Sequence, residues 1–570
     1  MYKKHTYILG THLSHDGSAC LLKDGKIVVA IEKERITRIK HHGGNDKVAI
    51  EYCLEAEGIT LDDIDLVVQN ANFEKETIDP TNYSGQRVFT SDFKAPIVTI
   101  SHHLAHAYSA IGTSPFDDCN VMVIDGSGSP FSQCDDIEGA TIPNLSSINK
   151  NPHHFWCEKF SVYRYHNNIL TPIYKDFSEF NHMQAPEQLH MPTIIHSIGG
   201  VYQAASQYCF GNVDDTGKLM GLSPYGEKNI FKQPIFELKE GRIFNTLEWL
   251  TELKKPSNSY ENFKANFQHY ANIARWVQDE TERALLYLFN SHQHSLPNKN
   301  WCYAGGVALN AVANQRILAE TSIENLYIQP AAGDNGIAIG CAYYGWMQVL
   351  KKERIQHSGV SNFGKKYIVP HTSLPQNLTI QKTNDWITKA AELLSEGKII
   401  AWFNEGCEFG PRALGYRSIL ADPRKDGVKD FINTFIKLRE DFRPFAPAVM
   451  REHCTDYFKH DWDSPYMILV NPVKPEWLKP LDNVVHLNGT ARVQTVSPLN
   501  NINFYNLLNE FKRLSGLPIL LNTSLNRRGM PIIETPEQAL DFFIESPIDY
   551  LVFENIIIGK TNEHNNQLTV

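Results

Sequence analysis

An α/β protein of two or three domains is predicted, on three observations. Apolar strand-like runs alternate with helix-like segments along most of the chain. The chain has 570 residues, more than one hydrophobic core holds. Several of the runs end in an acid or an apolar residue followed at once by glycines, where a ligand can approach the backbone.

Taken in order, Tyr7–Gly10 and Ala19–Leu22 read as strands, Lys23–Lys26 as a turn, and Ile27–Ile31 as a third strand. The turn after the first strand carries His12, His15 and Asp16. It reads either as a polar hairpin loop or as a cleft lining, with His15 taking a proton from a hydroxyl. Residues 32–41 are a charged run, a solvated face or a holder of an anionic substrate. A helix is expected over 47–57, a strand over 64–69, a polar excursion over 74–94, and a strand over Ile97–Ile100. Asn120–Ile124 is the next strand, 132–160 is loop-like, and 161–175 forms a hairpin. A helix over 194–209 precedes a glycine-punctuated loop, Gly217–Gly226, whose Lys218 suits a phosphate or simply the surface. A long helix over 266–292 leads to the strand Trp301–Ala304. That strand ends in a Gly305-Gly306 turn and a helix start near Asn310, a place for a nucleotide phosphate or ribose. Asp334 opens an Ala/Gly-rich helix. Residues 352–382 lack periodicity, so domains of 1–352 and 353–570 are expected. The second begins with a helix over 384–396 and the strand Ile399–Phe403.

Two places carry chemistry. In Ser101–Ala107, His102 and His106 are four residues apart and share one helix face. Asp125, followed by Gly126, Ser127 and Gly128, and Asp334, beside Gly333 and Gly336, supply carboxylates at strand ends. Two imidazoles and two carboxylates suit Fe(II), Mn(II) or Zn(II). In the C-terminal half, arginines lie beside glycine, proline and aromatic residues in four pieces. These are Gly410–Ser418, Lys437–Pro447, Thr490–Val496 and Leu520–Gly529. Guanidinium forks take phosphate or carboxylate oxygens in pairs, and four such pieces in an acidic chain point to a phosphate-bearing small molecule.

The bulk numbers narrow the classes. With 42% hydrophobic and 21% charged residues the chain is an ordinary globular protein. Its net charge of -10 argues against a general nucleic-acid or membrane-surface binder. Ten scattered cysteines with no C-x-x-C pair fit reduced thiols, and with no apolar run long enough for a leader or a span, a cytoplasmic location is expected.

Together these pieces resemble the NodU/CmcH family of O-carbamoyltransferases over nearly the whole chain. The motifs that carry the resemblance are Ser101–Ala107, Lys218–Gly226, Gly410–Gly415, Phe442–Pro447, Thr490–Val496 and Asn522–Asn526. The resemblance implies an N-terminal part similar to the Kae/TsaD member of the actin/Hsp70/sugar-kinase class, two duplicated α/β subdomains around a nucleotide cleft. It implies a C-terminal part similar to YrdC. The family's metal positions fall on His102, His106, Asp125 and Asp334, with Fe(II) the leading expectation. Its carbamoyl-phosphate positions fall on Arg412, Lys437, Arg443 and Arg492, with Ser524 and Asn526 in an S-x-N motif. His15 matches the histidine near the acceptor. Residues 213–217 depart from the family pattern, leaving Asp215 as the acceptor-binding acid. Nucleotide contacts are expected at Gly126, Ser127, Gly128, Lys218, Gly305, Gly306, Asn310 and Asp334. The activity implied joins carbamoyl phosphate to ATP with Mg2+, giving a carbamoyl adenylate, and passes the carbamoyl group to a small-molecule hydroxyl. A homodimer is expected on the same ground. The alternatives are a tRNA threonylcarbamoyladenosine enzyme, which the acidic charge disfavours, and a sugar kinase or ATP-binding module, which leaves the C-terminal arginines without a task.

Overall fold

The computed structural model describes residues 5–13, 15–44, 46–70, 89, 92–148, 156–185, 189–368 and 378–561. Most of the polar excursion expected over 74–94 lies outside them. The chain divides into two compact units: Met1–Lys33 with His41–His357, and Glu34–Lys40 with Ser358–Val570.

The first unit holds two sheets built on one plan. In the first, β1 (Tyr7–His12), β2 (Ser18–Lys23), β3 (Lys26–Glu32), β4 (Leu66–Asn70) and β5 (Ile97–Thr99) stand in the order β3-β2-β1-β4-β5. β1 pairs antiparallel with β2 and parallel with β4. The second sheet has β6 (Cys119–Ile124), β7 (Trp156–His166), β8 (Ile169–Ala185) and β9 (Leu189–Ile194). A hairpin of β10 (Phe236–Lys239) and β11 (Arg242–Asn245) lies apart. β12 (Asn300–Ala304) and β13 (Asn325–Ile328) complete the order β13-β12-β6-β7-β8-β9. Here β6 pairs antiparallel with β7 and parallel with β12, as β1 does with β2 and β4. The topology is therefore a duplication, with β9 added at one edge.

Each sheet hands its last parallel strand to a helix. After α1 (Lys47–Glu57), β5 leads into α2 (His102–Thr113). Then come α3 (Ile198–Phe210), α4 (Thr216–Leu222), α5 (Phe267–Gln293), α6 (Ala311–Glu320) and α7 (Ile337–Tyr344), which follows β13. α2 and α7 cross so closely that a Cβ on Gly340 would stand 1.8 Å from the carbonyl oxygen of Ala105, so only glycine fits there. Helix α4 replaces the loop expected over Gly217–Gly226. Its Leu219 and Leu222 are fully buried, and that burial outweighs the low helix propensity of Gly217 and Gly221. The expected loop 132–160 ends early, because β7 already begins at Trp156.

The second unit is one mixed sheet with flanking helices. Its strands are β14 (Leu378–Lys382), β15 (Ile400–Phe403), β16 (Arg417–Ala421), β17 (Ala446–Met450), β18 (Val470–Pro472), β19 (Thr490–Arg492), β20 (Gln494–Val496), β21 (Ile519–Ser524), β22 (Tyr550–Phe553) and β23 (Ile556–Lys560). Eight of them run in the order β14-β23-β22-β15-β16-β21-β17-β20, and β18 pairs with β19 alone. Helix α8 (Trp386–Ser395) stacks Trp386 on Trp402 of β15 at 5.0 Å between ring centroids. Helix α9 (Ile502–Ser515) is capped by Asn501 and buries Phe504, Leu507, Leu508 and Phe511, the i, i+3, i+4, i+7 stripe of a helix on a core. Residues 34–40 belong to this unit: Arg35 is buried and donates to the Gly410 carbonyl at 2.7 Å. The charged run is thus neither a solvated face nor, at Arg35, a ligand holder. Among the described residues no helix is long and apolar enough to cross a membrane.

Candidate active sites

In the first unit the strand ends and helix starts converge. His102 and His106 lie one turn apart on α2, Asp125 follows β6, and Asp334 stands in the turn before α7. One donor atom from each of the four lies within 4.8 Å of all the others. The Nε2 atoms of His102 and His106 are 3.2 Å apart, and Asp125 Oδ2 is 2.8 and 3.3 Å from them. Asp334 Oδ1 is 3.4 and 3.7 Å from the same two nitrogens. Donors about 3.4 Å apart are the edge of a tetrahedron whose centre lies roughly 2.1 Å from each.

The tautomer tests whether a cation fits. Asn70 spends its Nδ2 on the Ile100 carbonyl, so its Oδ1 faces His102 Nδ1, at 3.4 Å, as an acceptor. A proton on His102 Nδ1 leaves Nε2 facing a carboxylate oxygen and a second imidazole nitrogen, where it donates as an imidazolium or, with that proton displaced, offers its lone pair to a metal. Such a set of acceptors calls for a positive charge at its centre. The electrostatics agree. Burial works against charge on His102, yet Asp334 and Asp125 outweigh it and raise the imidazole to about 10. Burial likewise pushes Asp125 up, and the two histidines hold it below the ordinary carboxylate range. The donor set of nitrogen and hard oxygen suits Fe(II), Mn(II) or Zn(II).

His12, expected in the turn with His15 and Asp16, is instead the last residue of β1 and lies beside this site. It is wholly buried, and its Nε2 stands 2.8 Å from the His15 carbonyl and 3.7 Å from Asp334 Oδ2. His15 itself is half exposed, with Nδ1 2.9 Å from Asp16 Oδ2 and Nε2 3.5 Å from Asp214 Oδ1. These two acids outweigh burial and raise His15 to about 11. His41 stacks on it and contacts Asp16 at 2.8 Å. Asp215 is instead engaged by Lys218, whose Nζ is 2.6 Å from its carboxylate, so Asp214 is the acid beside His15.

The expected nucleotide contacts are partly spent within the protein. Asp125 Oδ1 accepts from the backbone N–H of Gly126 at 2.8 Å and of Gly306 at 3.0 Å. Gly128 donates to the Glu158 carbonyl, and Ser127 lies against Cys157. Gly305, at φ +94°, passes where a Cβ would stand 2.1 Å from the Ile124 carbonyl oxygen. Asn310 caps α6 and exchanges hydrogen bonds with Gln278.

The second unit gathers cations. Lys437 is buried, and its Nζ donates to the Ser524 carbonyl at 2.5 Å, to Ser524 Oγ at 3.1 Å and to Asn526 Oδ1 at 2.6 Å. Burial, then Arg439 and Arg443, hold Lys437 well below its ordinary range. Burial and Arg443 lower Arg412 to about 10. Burial, then Arg412, Arg439 and Arg443, lower Arg492. Arg443 thus lies near enough to Arg412, Lys437 and Arg492 to disfavour their charge, while the buried Glu440 carboxylate stands 3.8 Å from Arg443. The Nε atoms of Arg412 and Arg492 are buried with no hydrogen-bond partner among the described residues. Arg439 is a fifth cation that sequence reasoning passed over, two residues beyond Lys437. It donates to Asn433 and lies 4.5 Å over the Phe445 ring. Arg417 does other work: it is buried on the carbonyls of Asn404, Glu405 and Tyr416, 3.5 Å over Phe403.

Comparison with known proteins bears on both units. The carbamoyltransferase N-terminus family matches residues 7–79 and 66–343, and the carbamoyltransferase C-terminus family matches 391–560. An uncharacterised protein of Synechocystis sp. is 34% identical, covering 98% of this chain and 97% of its own length. Nodulation protein NolNO of Sinorhizobium fredii is 30% identical, covering 96% of this chain and 79% of its own. Nodulation protein U of Rhizobium tropici is 24% identical over 92% of this chain and 91% of its own. Among solved structures, HypF of T. kodakarensis shows a TM-score of 0.37 at 14% identity, over 61% of this chain and 48% of that one, a likeness too slight to bear on function. With both of its units matched in order, the chain belongs to the carbamoyltransferase family and is a carbamoyltransferase enzyme.

Proposed function

We propose that this carbamoyltransferase is ATP-dependent and O-directed, activating carbamoyl phosphate in the second unit and delivering the carbamoyl group to a hydroxyl in the first. The observation that supports the proposal is the gathering of Arg412, Lys437 and Arg492 near Arg443, where burial and neighbouring cations disfavour their charge and a bound anion would relieve the repulsion. Carbamoyl phosphate and the ATP phosphates are such anions, and fixed guanidinium donors stabilise the charge that develops on phosphate oxygens. There water cleaves carbamoyl phosphate to carbamate and phosphate, and the carbamate oxygen attacks the α-phosphorus of ATP, giving carbamoyl adenylate and pyrophosphate. Adenylation is needed because the carbamate formed on loss of phosphate is a poor electrophile until its oxygen carries a new leaving group.

In the first unit His102, His106, Asp125 and Asp334 would hold a divalent metal. When bound, such an ion supplies Lewis acidity toward a phosphate oxygen of the departing AMP. His15 takes the proton from the acceptor hydroxyl. With Asp16 and Asp214 on both ring nitrogens it is protonated at neutral pH, so the acceptor must displace a carboxylate before His15 acts as a base. Asp214 is thereby the acid nearest the acceptor. The acceptor is a hydroxylated small molecule rather than a nucleic acid, in keeping with the net charge of -10.

The test is incubation with labelled carbamoyl phosphate, ATP and Mg2+ against a panel of hydroxylated metabolites, read by mass spectrometry. AMP release together with one carbamoyl group gained on an acceptor is the expected result. ATP turnover that ignores carbamoyl phosphate would overturn it in favour of a kinase-like activity.

A further inference from the structure

Beneath helix α2 lies a buried ionic cluster that the chemistry above does not use. Glu158 on β7 and Lys175 on β8 are wholly buried, and Lys175 Nζ stands 2.6 Å from Glu158 Oε1 and 2.6 Å from Asp136 Oδ2. Tyr163 donates to the same Asp136 oxygen at 2.7 Å. Asp136, Glu158 and Cys134 superficially form a metal-ligand trio. The space between the carboxylates is already taken by Lys175, which is the cation of this cluster.

What the cluster holds is the start of α2. Glu158 Oε2 accepts from the backbone N–H of His103 at 3.1 Å and of Ser129 at 3.0 Å. Ser129 Oγ accepts from the backbone N–H of His102 at 2.9 Å. Ser101 Oγ donates to Asp136 Oδ1 at 2.9 Å. A helix leaves its first N–H groups without intrahelical partners, and Ser101 at the N-cap makes no side-chain cap of its own. The cap comes from outside the helix, as a carboxylate at the positive end of the helix dipole. Three successive residues, 101–103, are thereby fixed; the proposed ligand His102 is one of them, and His106 sits one turn further on. A fully satisfied buried network specifies one geometry, whereas a half-satisfied one does not.

We infer that Glu158, with Lys175 and Asp136, is a positioning set that aims His102 and His106 at the metal, an inference that rests on reading those histidines as ligands. Glu158 makes the point sharply. A glutamine there must turn its NH2 either toward Lys175 or toward the two backbone N–H groups, placing donor against donor. Neither orientation keeps both bonds, so Glu158→Gln loosens the helix start while keeping the side chain's shape.

The experiment measures Zn(II) binding to the full chain by competition with a chromogenic chelator. Partners of this kind typically alter metal affinity about 10–100-fold, and Glu158→Gln is expected to weaken Zn(II) by that factor. Lys159→Met is the matched control. It breaks the neighbouring buried pair with Asp176, 2.5 Å on the same two strands, and is expected to lower thermal stability while leaving Zn(II) affinity unchanged. Ser129→Ala removes the bond to the His102 N–H and leaves the Glu158–Lys175–Asp136 ion pairs whole; it is expected to weaken Zn(II) a few-fold and carries the test if Glu158→Gln does not fold. Wild-type affinity in Glu158→Gln or in Ser129→Ala overturns the positioning role alone, as does an equal loss in Lys159→Met. A wild-type chain that takes up no Zn(II) overturns the ligand reading itself, and this inference with it.

Discussion

The two units solve opposite electrostatic problems. In the first, carboxylates and imidazole nitrogens converge on one point: His102, His106, Asp125 and Asp334, with His12 beside them. In the second, Arg412, Lys437, Arg439, Arg443 and Arg492 lie near one another, with the buried Glu440 carboxylate 3.8 Å from Arg443. Either cluster alone is costly to bury, because like charges in low dielectric repel and lose hydration. Each suits a ligand of opposite charge, a metal in the first and an anionic reactant in the second. The difference teaches how the labour is divided: the cationic pocket suits making an activated carbamoyl group, the acidic one suits spending it.

The largest test of that division is His102→Ala. Loss of a Lewis acid worth several kcal/mol should slow carbamoyl transfer roughly a thousandfold. Carbamoyl-phosphate-dependent pyrophosphate release, measured separately, should survive. Arg492→Ala should do the reverse, cutting pyrophosphate release by about 10²–10³-fold, the scale of one fixed donor to a developing anion. It carries a second signature. A cation whose folded-state pKa is depressed opposes folding wherever it is charged, so at neutral pH Arg492→Ala should raise the melting temperature of the ligand-free protein while destroying its activity. A fall in melting temperature would mean that the pocket is not strained by its own charges.

Gly340→Ala sharpens the structural side of the comparison. The added methyl meets the Ala105 carbonyl, forces α2 from α7, and should cost about 1–3 kcal/mol in chemical denaturation, with metal affinity falling alongside. The smallest effect concerns His15. Because Asp16 and Asp214 raise it, the neutral base appears only as pH climbs, and transfer should accelerate through the alkaline range. Asp214→Asn removes one of the raising charges and should move that inflection downward by about 1 unit. An unmoved pH profile would remove His15 from the role of base.

Sequence and structure part company at particular residues. The histidine pair was legible because four residues is one helical turn, and Asp125 because an acid ending an apolar run is conspicuous. The duplication of β1–β5 in β6–β13 was not legible from periodicity, since strand order is a property of pairing between distant segments. Asp214 and Asp215 are adjacent in the chain, and only the turn into α4 decides which one meets His15 and which meets Lys218. Arg35 reads as one charge in an exposed run, but its partner carbonyl lies 375 residues away. Arg417 and Arg492 look alike in their motifs; one is satisfied by carbonyls while the other keeps a buried Nε with no hydrogen-bond partner among the described residues.

The most direct measurement is exchange of labelled pyrophosphate into ATP, driven by carbamoyl phosphate, in the wild type, in His102→Ala and in Arg492→Ala. Exchange in the first two and none in the third is the expected result. Exchange that persists without Arg492, or that vanishes without His102, would contradict the assignment of activation to the cationic pocket and of transfer to the acidic one.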